Sequence, residues 1–230
     1  MKSNEFITDG MSKKGNQKYW QAVLHGEGFV SDKDDPNDYI ITRPELNKII
    51  KLIHKNCQPF LTQAKGGALY RGLKEDEHFL KKKARLQGRK PLNTPGDIHK
   101  MLNQFFTLKH GEPFRDAMFA TGNMNIADNY GNALYRVFPI GQFEFLWSPK
   151  VHDLYQEWEN MDTDWYATPA EMKKLHKKFH DRHLAKNYKT TGMAQAISSK
   201  NEIMIRCKNY YAVNQEIFWD VPDHWLEGFK

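Results

Sequence analysis

The sequence predicts an α+β protein whose sheet is mixed and mostly antiparallel. Short apolar runs bounded by turn residues are typical of strands, and they occur near residues 66–73, 117–121, 134–147 and 201–213. Amphipathic helical patterns precede and separate these runs. The order strand, helix, several strands, helix, strands differs from the regular alternation of a doubly wound parallel sheet. Helices packed on one sheet are therefore expected.

Three helices are predicted to begin in the same way, with a threonine cap, a proline near the first helical position and an acid three residues after the threonine. The pairs are Thr42 with Glu45, Thr94 with Asp97, and Thr168 with Glu171. Each helix then carries apolar residues at helical spacing: Leu46, Ile49, Ile50 and Ile53; Ile98, Met101, Leu102, Phe105 and Phe106; Met172, Leu175 and Phe179. These stripes indicate core faces, not cofactor sites.

The first strand is predicted in residues 66–73, and it contains an arginine. On a period of two, Arg71 shares a face with Leu69 and Leu73, while Tyr70 points the other way. A charge in so apolar a strand is costly to bury unless it is paired or faces a cleft. Two interpretations stay open: a core arginine tied to a nearby carboxylate, and a clamp for a phosphate or carboxylate ligand.

The later strands are predicted to pair through tight turns. Residues 134–138 and 143–147 are joined by Pro139-Ile140-Gly141, and residues 201–207 and 210–213 are joined by Lys208-Asn209. The short run 117–121 ends at Gly122.

Glu202 is the second unusual charge, because it opens the apolar run 202–207. Ile203, Ile205 and Cys207 alternate with Glu202, Met204 and Arg206. The carboxylate either pairs with a cation or faces a cleft, where it would stabilise a developing positive charge.

The domain organisation predicted is a loosely attached polar arm over residues 1–38 and a single α+β domain over residues 39–230. Within the arm, residues 19–24 form a possible short docking element. The net charge of +6 and the isoelectric point near 9.1 are consistent with a phosphate-bearing partner. The basic run over residues 81–90 is interpreted as a solvated loop, with contact to nucleic acid or a dinucleotide as the alternative.

Several classes of function lack their signals. No apolar run of about 18 residues and no secretory leader are found, so no membrane association and a cytoplasmic location are expected. Two cysteines make no disulfide framework. Neither a Gly-x-Gly-x-x-Gly nor a phosphate-loop motif is present. His176, His180 and His183 lack the glutamate of a zinc hydrolase motif, so no metal is expected.

Four segments together resemble the ADP-ribosyltransferase fold, in the subgroup whose motif order is Arg, Ser/Thr, Glu. Leu69-Tyr70-Arg71-Gly72 resembles the first-strand arginine segment, and Phe119-Ala120-Thr121-Gly122 stands where the subgroup has Ser-Thr-Ser. Residues 127–131 resemble the helix and turn that follow. Residues 202–205 with 210–213 resemble the strand pair that starts with the catalytic glutamate. The overall look suggests a bacteriophage-encoded member, which would act in the host cytoplasm.

The resemblance implies a split sheet that binds NAD as a substrate. Arg71 would clamp the diphosphate or the adjacent ribose, Thr121 would hold the glutamate or the nicotinamide ribose, and Glu202 would stabilise the oxocarbenium-like sugar. Gly72, Phe119 and Tyr130 complete the implied NAD site, with one of the two rings stacking on the nicotinamide. As an alternative, both rings are plain core residues.

Two positions depart from the family pattern. One hydroxyl, that of Thr121, remains in Ala120-Thr121-Gly122, and Lys200 stands where arginine-modifying members have a second glutamate.

The function expected is mono-ADP-ribosyl transfer from NAD to a protein or nucleic-acid acceptor, or NAD glycohydrolysis if water is the acceptor. The alternative is a non-catalytic basic phage protein that binds nucleic acid or serves in the virion. The enzymatic interpretation requires Arg71 and Glu202 to meet across one groove.

Overall fold

A computed structural model describes residues 28–30, 39–75, 77–89, 94–161, 169–184 and 187–220, with Leu226 and Phe229. The strands are β1 Gly28–Val30, β2 Tyr39–Thr42, β3 Tyr70–Leu73, β4 Phe79–Lys83, β5 Met118–Thr121, β6 Ala133–Pro139, β7 Glu144–Trp147, β8 Glu202–Arg206 and β9 Asn209–Asn214. The helices are α1 Arg43–Asn56, α2 Gln58–Ala64, α3 Gly96–His110, α4 Met124–Asp128, α5 Leu154–Glu159, α6 Pro169–Phe179, α7 Met193–Ser199 and α8 Glu216–Asp220. A 3-10 turn spans Phe114–Asp116, and α6 continues as a π-turn over His180–Leu184.

Seven of these strands form one sheet, in the order β4-β9-β6-β3-β5-β8-β7. Every neighbouring pair is antiparallel. The predicted α+β class and the mostly antiparallel sheet are therefore confirmed.

The two predicted hairpins are wrong, although their strands exist. β6 pairs with β3 and β9, while β7 pairs with β8 at the far edge of the sheet. Likewise β8 pairs with β5 and β7, whereas β9 lies between β4 and β6. A short connection permits a hairpin but does not require one, because sheet position is decided by which strands bury each other's apolar faces.

The sheet divides into two halves between β3 and β5. These strands share a single register pair, Tyr70 with Thr121, whereas β5 pairs with β8 along its whole length. One half is β4-β9-β6-β3 and the other is β5-β8-β7. Beyond this shared pair β3 and β5 diverge, which leaves a gap beside β5.

Helices cover both faces of the sheet where β5 and β8 lie. Ile203 and Ile205 pack with residues of α1, α2 and α7, and this side is called the α1 face. Met204 and Leu146 pack with residues of α3, α5 and α6, and this side is called the α3 face. Because side chains alternate along a strand, Glu202 belongs to the α3 face together with Met204.

The helix signals have three different outcomes. Thr42 forms the predicted capping box, in which its hydroxyl accepts from the Glu45 amide at 3.3 Å and Glu45 accepts from the Thr42 amide at 3.1 Å. The prediction that Thr94 caps a helix is wrong, because α3 begins at Gly96 after Pro95 and no side chain caps it. Thr168 lies outside the described residues.

Part of the basic run interpreted as a solvated loop forms a strand. Residues 81–83 belong to β4, the edge strand, with Lys81 and Lys83 exposed, so this part of the basic run is not a loop. Exposed lysines protect an edge strand against pairing with another chain. Of the arm, β1 pairs with β2, and residues 19–24 lie outside the description. In the ranges described, no helix is long and apolar enough to span a bilayer.

Candidate functional site

The structure brings Thr121 and Glu202 together. They are Cα partners on the adjacent strands β5 and β8, so their side chains leave the sheet on the same face. The predicted proximity of these two residues therefore follows directly from the strand register.

Thr121 fixes the start of β8. Its hydroxyl donates to the Lys200 carbonyl at 2.9 Å and accepts from the Asn123 amide at 3.1 Å, and the residue is buried. Since Lys200 lies two residues before Glu202, this bond ties the end of β5 to the turn that presents the glutamate. Thr121 thus contacts the main chain that leads to Glu202, and its role in holding the glutamate or the nicotinamide ribose stays a prediction.

Arg71 lies on β3, on the side of the chain that also carries the buried Leu69 and Leu73 and opposite to Tyr70. Its guanidinium donates to the Phe119 carbonyl and hydrogen-bonds the Tyr210 hydroxyl. Burial lowers the pKa of Arg71. Its hydrogen-bond partners are neutral, while the charges of Glu75 and Arg89 are close enough to interact with it. A groove shared by Arg71 and Glu202 stays a prediction.

The gap between the two halves of the sheet is bridged by arginines. The Phe119 carbonyl accepts from Arg71, and the Ala117 carbonyl accepts from Arg89 Nη1 at 2.8 Å. Guanidinium groups therefore occupy the place that a fully paired β3 would take beside β5, and they satisfy carbonyl groups at the divergence of the strands.

Arg115 is the cation that contacts Glu202. Its Nη1 lies 2.9 Å from Glu202 Oε1, and the exposed fractions of the two side chains are 4% and 19%. Arg115 stands in the 3-10 turn immediately before β5, and its amide donates to Asn103 Oδ1 at 2.8 Å. Sequence analysis missed this residue. The available signal was a charged pair, Arg115-Asp116, between Phe114 and Ala117.

Phe119 is enclosed by two guanidinium groups. The Arg89 Cζ lies 3.8 Å and the Arg115 Cζ 4.6 Å from the centre of its ring. Cation–π contacts of this kind hold the arginines against the α3 face. The ring that was expected to stack on a ligand therefore already has cationic partners. Arg89 comes from the basic run interpreted as a solvated loop, so its inward position is a correction of that interpretation.

The pKa of Glu202 is raised to about 7, mainly because burial disfavours its charged form. Arg115 and Arg89 lower the pKa, while the negative charge of Asp153 raises it further. Burial and the neighbouring Arg71 and Arg115 lower the pKa of Arg89 to about 9, so it stays charged at neutral pH. Arg89 and Arg115 thus place positive charge beside Glu202, which favours an anionic ligand.

The opposite side of Glu202 is acidic and phenolic. The Glu202 amide donates to the His152 carbonyl at 2.9 Å, which brings the next residue, Asp153, beside the site. The Tyr130 hydroxyl lies 3.5 Å from Asp153 Oδ2, and Tyr130 is 62% exposed. Of the two predicted stacking rings, Tyr130 is the accessible one.

Gly72 has a packing role. A Cβ at this position would lie 2.5 Å from the Ala127 carbonyl and 2.7 Å from the Gly131 amide. The missing side chain lets α4 and the turn carrying Tyr130 sit directly on β3. Gly72 therefore helps to shape the site by allowing this close packing. This role does not require contact with a ligand.

The histidines of α6 are not arranged around a metal. Across the described ranges, no group of three or more His, Cys, Asp and Glu side chains could hold an ion. His183 is buried and faces Glu157, with Nδ1 3.6 Å from Oε2.

Comparison with known proteins identifies no relative: no family model, no curated protein and no solved structure matches this chain.

Proposed function

We propose that this protein is a mono-ADP-ribosyltransferase that transfers ADP-ribose from NAD to a macromolecular acceptor, and that it hydrolyses NAD when water takes the acceptor's place. The observation that carries the proposal is the pair Thr121 and Glu202 on adjacent strands, beside an arginine cluster. The glutamate is held in place by main-chain contacts on both sides, through Lys200 and His152.

Glu202 supplies the electrostatic part of the reaction. When the bond between ribose and nicotinamide breaks, nicotinamide leaves with the bonding electrons and the sugar becomes oxocarbenium-like. A fixed carboxylate at low exposure stabilises this positive charge better than water does, because it needs no reorganisation as the charge develops. The acceptor then donates its electron pair to the ribose carbon and loses a proton.

The arginine cluster supplies the anion half of the site. Arg115 already touches Glu202, and Arg89 is held near it over the Phe119 ring. A diphosphate placed here meets two planar, permanently charged donors. This assignment transfers the proposed diphosphate contact from Arg71 to Arg89 and Arg115. Arg71 then acts indirectly, by holding the Phe119 carbonyl of β5.

Tyr130 supplies the aromatic surface. Its exposed ring stands on the acidic side of Glu202, next to Asp153, and both features suit the cationic nicotinamide ring of NAD.

The test is nicotinamide release from NAD by the full-length chain, compared with Glu202→Gln. The variant keeps the size of the side chain and removes its charge, so the rate is expected to fall by about 100-fold or more. Glu144→Gln is the matched control, because Glu144 is an exposed glutamate that opens the neighbouring strand β7. Wild-type protein that releases no nicotinamide, or a Glu202→Gln variant as fast as wild type, contradicts the proposal.

A second candidate function is nucleic-acid binding without catalysis. It is favoured by the exposed residues Lys81, Lys83 and Arg85 at and after the edge strand β4. Binding to a short DNA should then weaken steeply with salt, and Lys81→Glu with Lys83→Glu should weaken it further. An absence of DNA binding at low salt rejects this candidate.

A further inference from the structure

A buried polar network lies behind the arginine cluster, and its centre is Asp116. Its Oδ1 lies 2.9 Å from His99 Nε2 and accepts from Asn103 Nδ2 at 3.2 Å, while Oδ2 accepts from the Gly88 amide at 3.2 Å. Asp116 is 8% exposed, and His99 is also 8% exposed. Such a carboxylate is costly to bury, and here both oxygens are occupied.

We propose that Asp116 is the positioning residue of the arginine cluster: it anchors Gly88, and through Gly88 it aims Arg89 at the site. Gly88 immediately precedes Arg89 and adopts a left-handed backbone with φ +64°. The bond from its amide to Asp116 therefore fixes a sharp turn whose next side chain reaches the Ala117 carbonyl and the Phe119 ring.

The same network also holds Arg115. Asn103 donates to Asp116 and accepts from the Arg115 amide at 2.8 Å, so one α3 side chain joins the two. Asp116 is thus bonded directly to the amide of Gly88, the residue before Arg89, and is linked through Asn103 to the amide of Arg115. The guanidinium groups of both arginines are left available for the ring, for Glu202 and for a ligand.

The charge of Asp116 contributes as well as its geometry. Its negative charge raises the pKa of Arg89 against the effect of burial and of the two neighbouring arginines. Without this carboxylate, two like charges would repel across Phe119 with less compensation. Removal of Asp116 is therefore expected to misplace Arg89.

The inference rests on the proposed function for the identity of the ligand, but it can be tested without catalysis. Inorganic pyrophosphate is the probe, and its dissociation constant is measured by calorimetry with full-length wild type, Arg89→Ala, Asp116→Asn and the double variant. Each single variant is expected to bind about tenfold more weakly, which is the effect of losing one charge-assisted contact. The double variant should lose clearly less affinity than the product of the two single losses, because Asp116 acts in large part through Arg89.

Glu157→Gln is the matched control, since it removes the carboxylate from the other buried histidine, His183. It should leave pyrophosphate affinity unchanged. If Asp116→Asn does not fold, as judged by thermal melting, His99→Gln replaces it in the cycle, with an expected loss of about threefold on the same principle of coupled contacts.

The outcomes separate this inference from the proposed function. Three results would each overturn the positioning role of Asp116. They are a wild type that does not bind pyrophosphate, an Asp116→Asn variant that binds it like wild type, and losses of affinity that simply add in the double variant. Nicotinamide release is measured in parallel. Non-additive losses of pyrophosphate affinity without nicotinamide release would retain the positioning role and reject the proposed enzymatic activity. Additive losses with nicotinamide release would reject the positioning role and retain the enzymatic activity.

Discussion

Arg71 and Arg115 are two guanidinium groups near the same strand, β5, and they differ in the charge of their partners. Arg71 bonds the Phe119 carbonyl of β5 and the Tyr210 hydroxyl, both neutral. Arg115 precedes β5 and is held by the carboxylate of Glu202. The first arginine completes a sheet, whereas the second shares its charge with a group that titrates near neutral pH.

The difference teaches that a buried arginine is informative mainly through its partner. The hydrogen bonds of Arg71 go to an uncharged carbonyl and a phenol, and its buried Nε has no partner, so no carboxylate is bonded to it directly. A carboxylate partner couples Arg115 to the protonation of Glu202, and that coupling belongs to the proposed chemistry.

The largest expected effect comes from replacing each of the two arginines with methionine. Arg115→Met leaves Glu202 without its partner and should lower the free energy of unfolding by about 3 kcal/mol at pH 8. The loss should be smaller at pH 5, where Glu202 is protonated. Arg71→Met removes a hydrogen bond to a neutral carbonyl and should cost about 1 kcal/mol at both pH values. Urea unfolding of both variants at the two pH values measures the contrast.

The control for this experiment is Arg115→Met combined with Glu202→Gln, which removes both charges. Its stability should depend less on pH than that of Arg115→Met alone. Equal pH dependence of the Arg71 and Arg115 variants would contradict the distinction between them.

The second effect concerns the pH dependence of Glu202 itself. Its pKa of about 7 in the folded chain exceeds its ordinary value of 4.5, so the folded state retains a proton that the unfolded state has lost. Stability relative to Glu202→Gln should therefore fall as pH rises through this window, by about 3 kcal/mol between pH 4 and pH 8. Thermal or urea unfolding of both proteins across this range measures the difference. A difference that does not vary with pH would show that the pKa of Glu202 is ordinary.

The smallest of the three effects comes from Thr121. Thr121→Val keeps the shape but removes the hydroxyl that joins Lys200 to Asn123, and it should lower the free energy of unfolding by about 1–2 kcal/mol. Thr121→Ser keeps the hydroxyl and should recover most of this loss. If nicotinamide release is observed, it should follow the same order, because the hydroxyl positions the turn before Glu202. Identical behaviour of the two variants would remove Thr121 from the site.

Local patterns were sufficient for some of these features. The strand that begins with Glu202 and the cap at Thr42 depend on residues close in sequence, and both are present as predicted. The phase of β3 against β5 is different, because it is a register between segments about 50 residues apart and alternation within one strand does not determine it. That phase sets the position of Arg71 relative to the end of β5.

Arg89 and Arg115 were missed for a related reason. Both lie outside the regular elements that hydrophobic periodicity identifies, one beside Gly88 and the other in a 3-10 turn. Their inward direction is set by hydrogen bonds to Asp116 and Asn103, which are contacts between distant parts of the chain. Charge runs usually face water, so composition alone favoured the opposite interpretation for Arg89.

The connections that cross between the two halves of the sheet have a consequence for folding during synthesis. The chain enters and leaves each half repeatedly, and β9, the last strand of the sheet, lies between β4 and β6. Almost all of residues 70–214 must therefore leave the ribosome before the half that contains β9 can form. Early folding intermediates consequently lack strands in both halves of the sheet. No single division of the gene separates the two halves, so fragments produced by a cut between β3 and β9 should not fold separately.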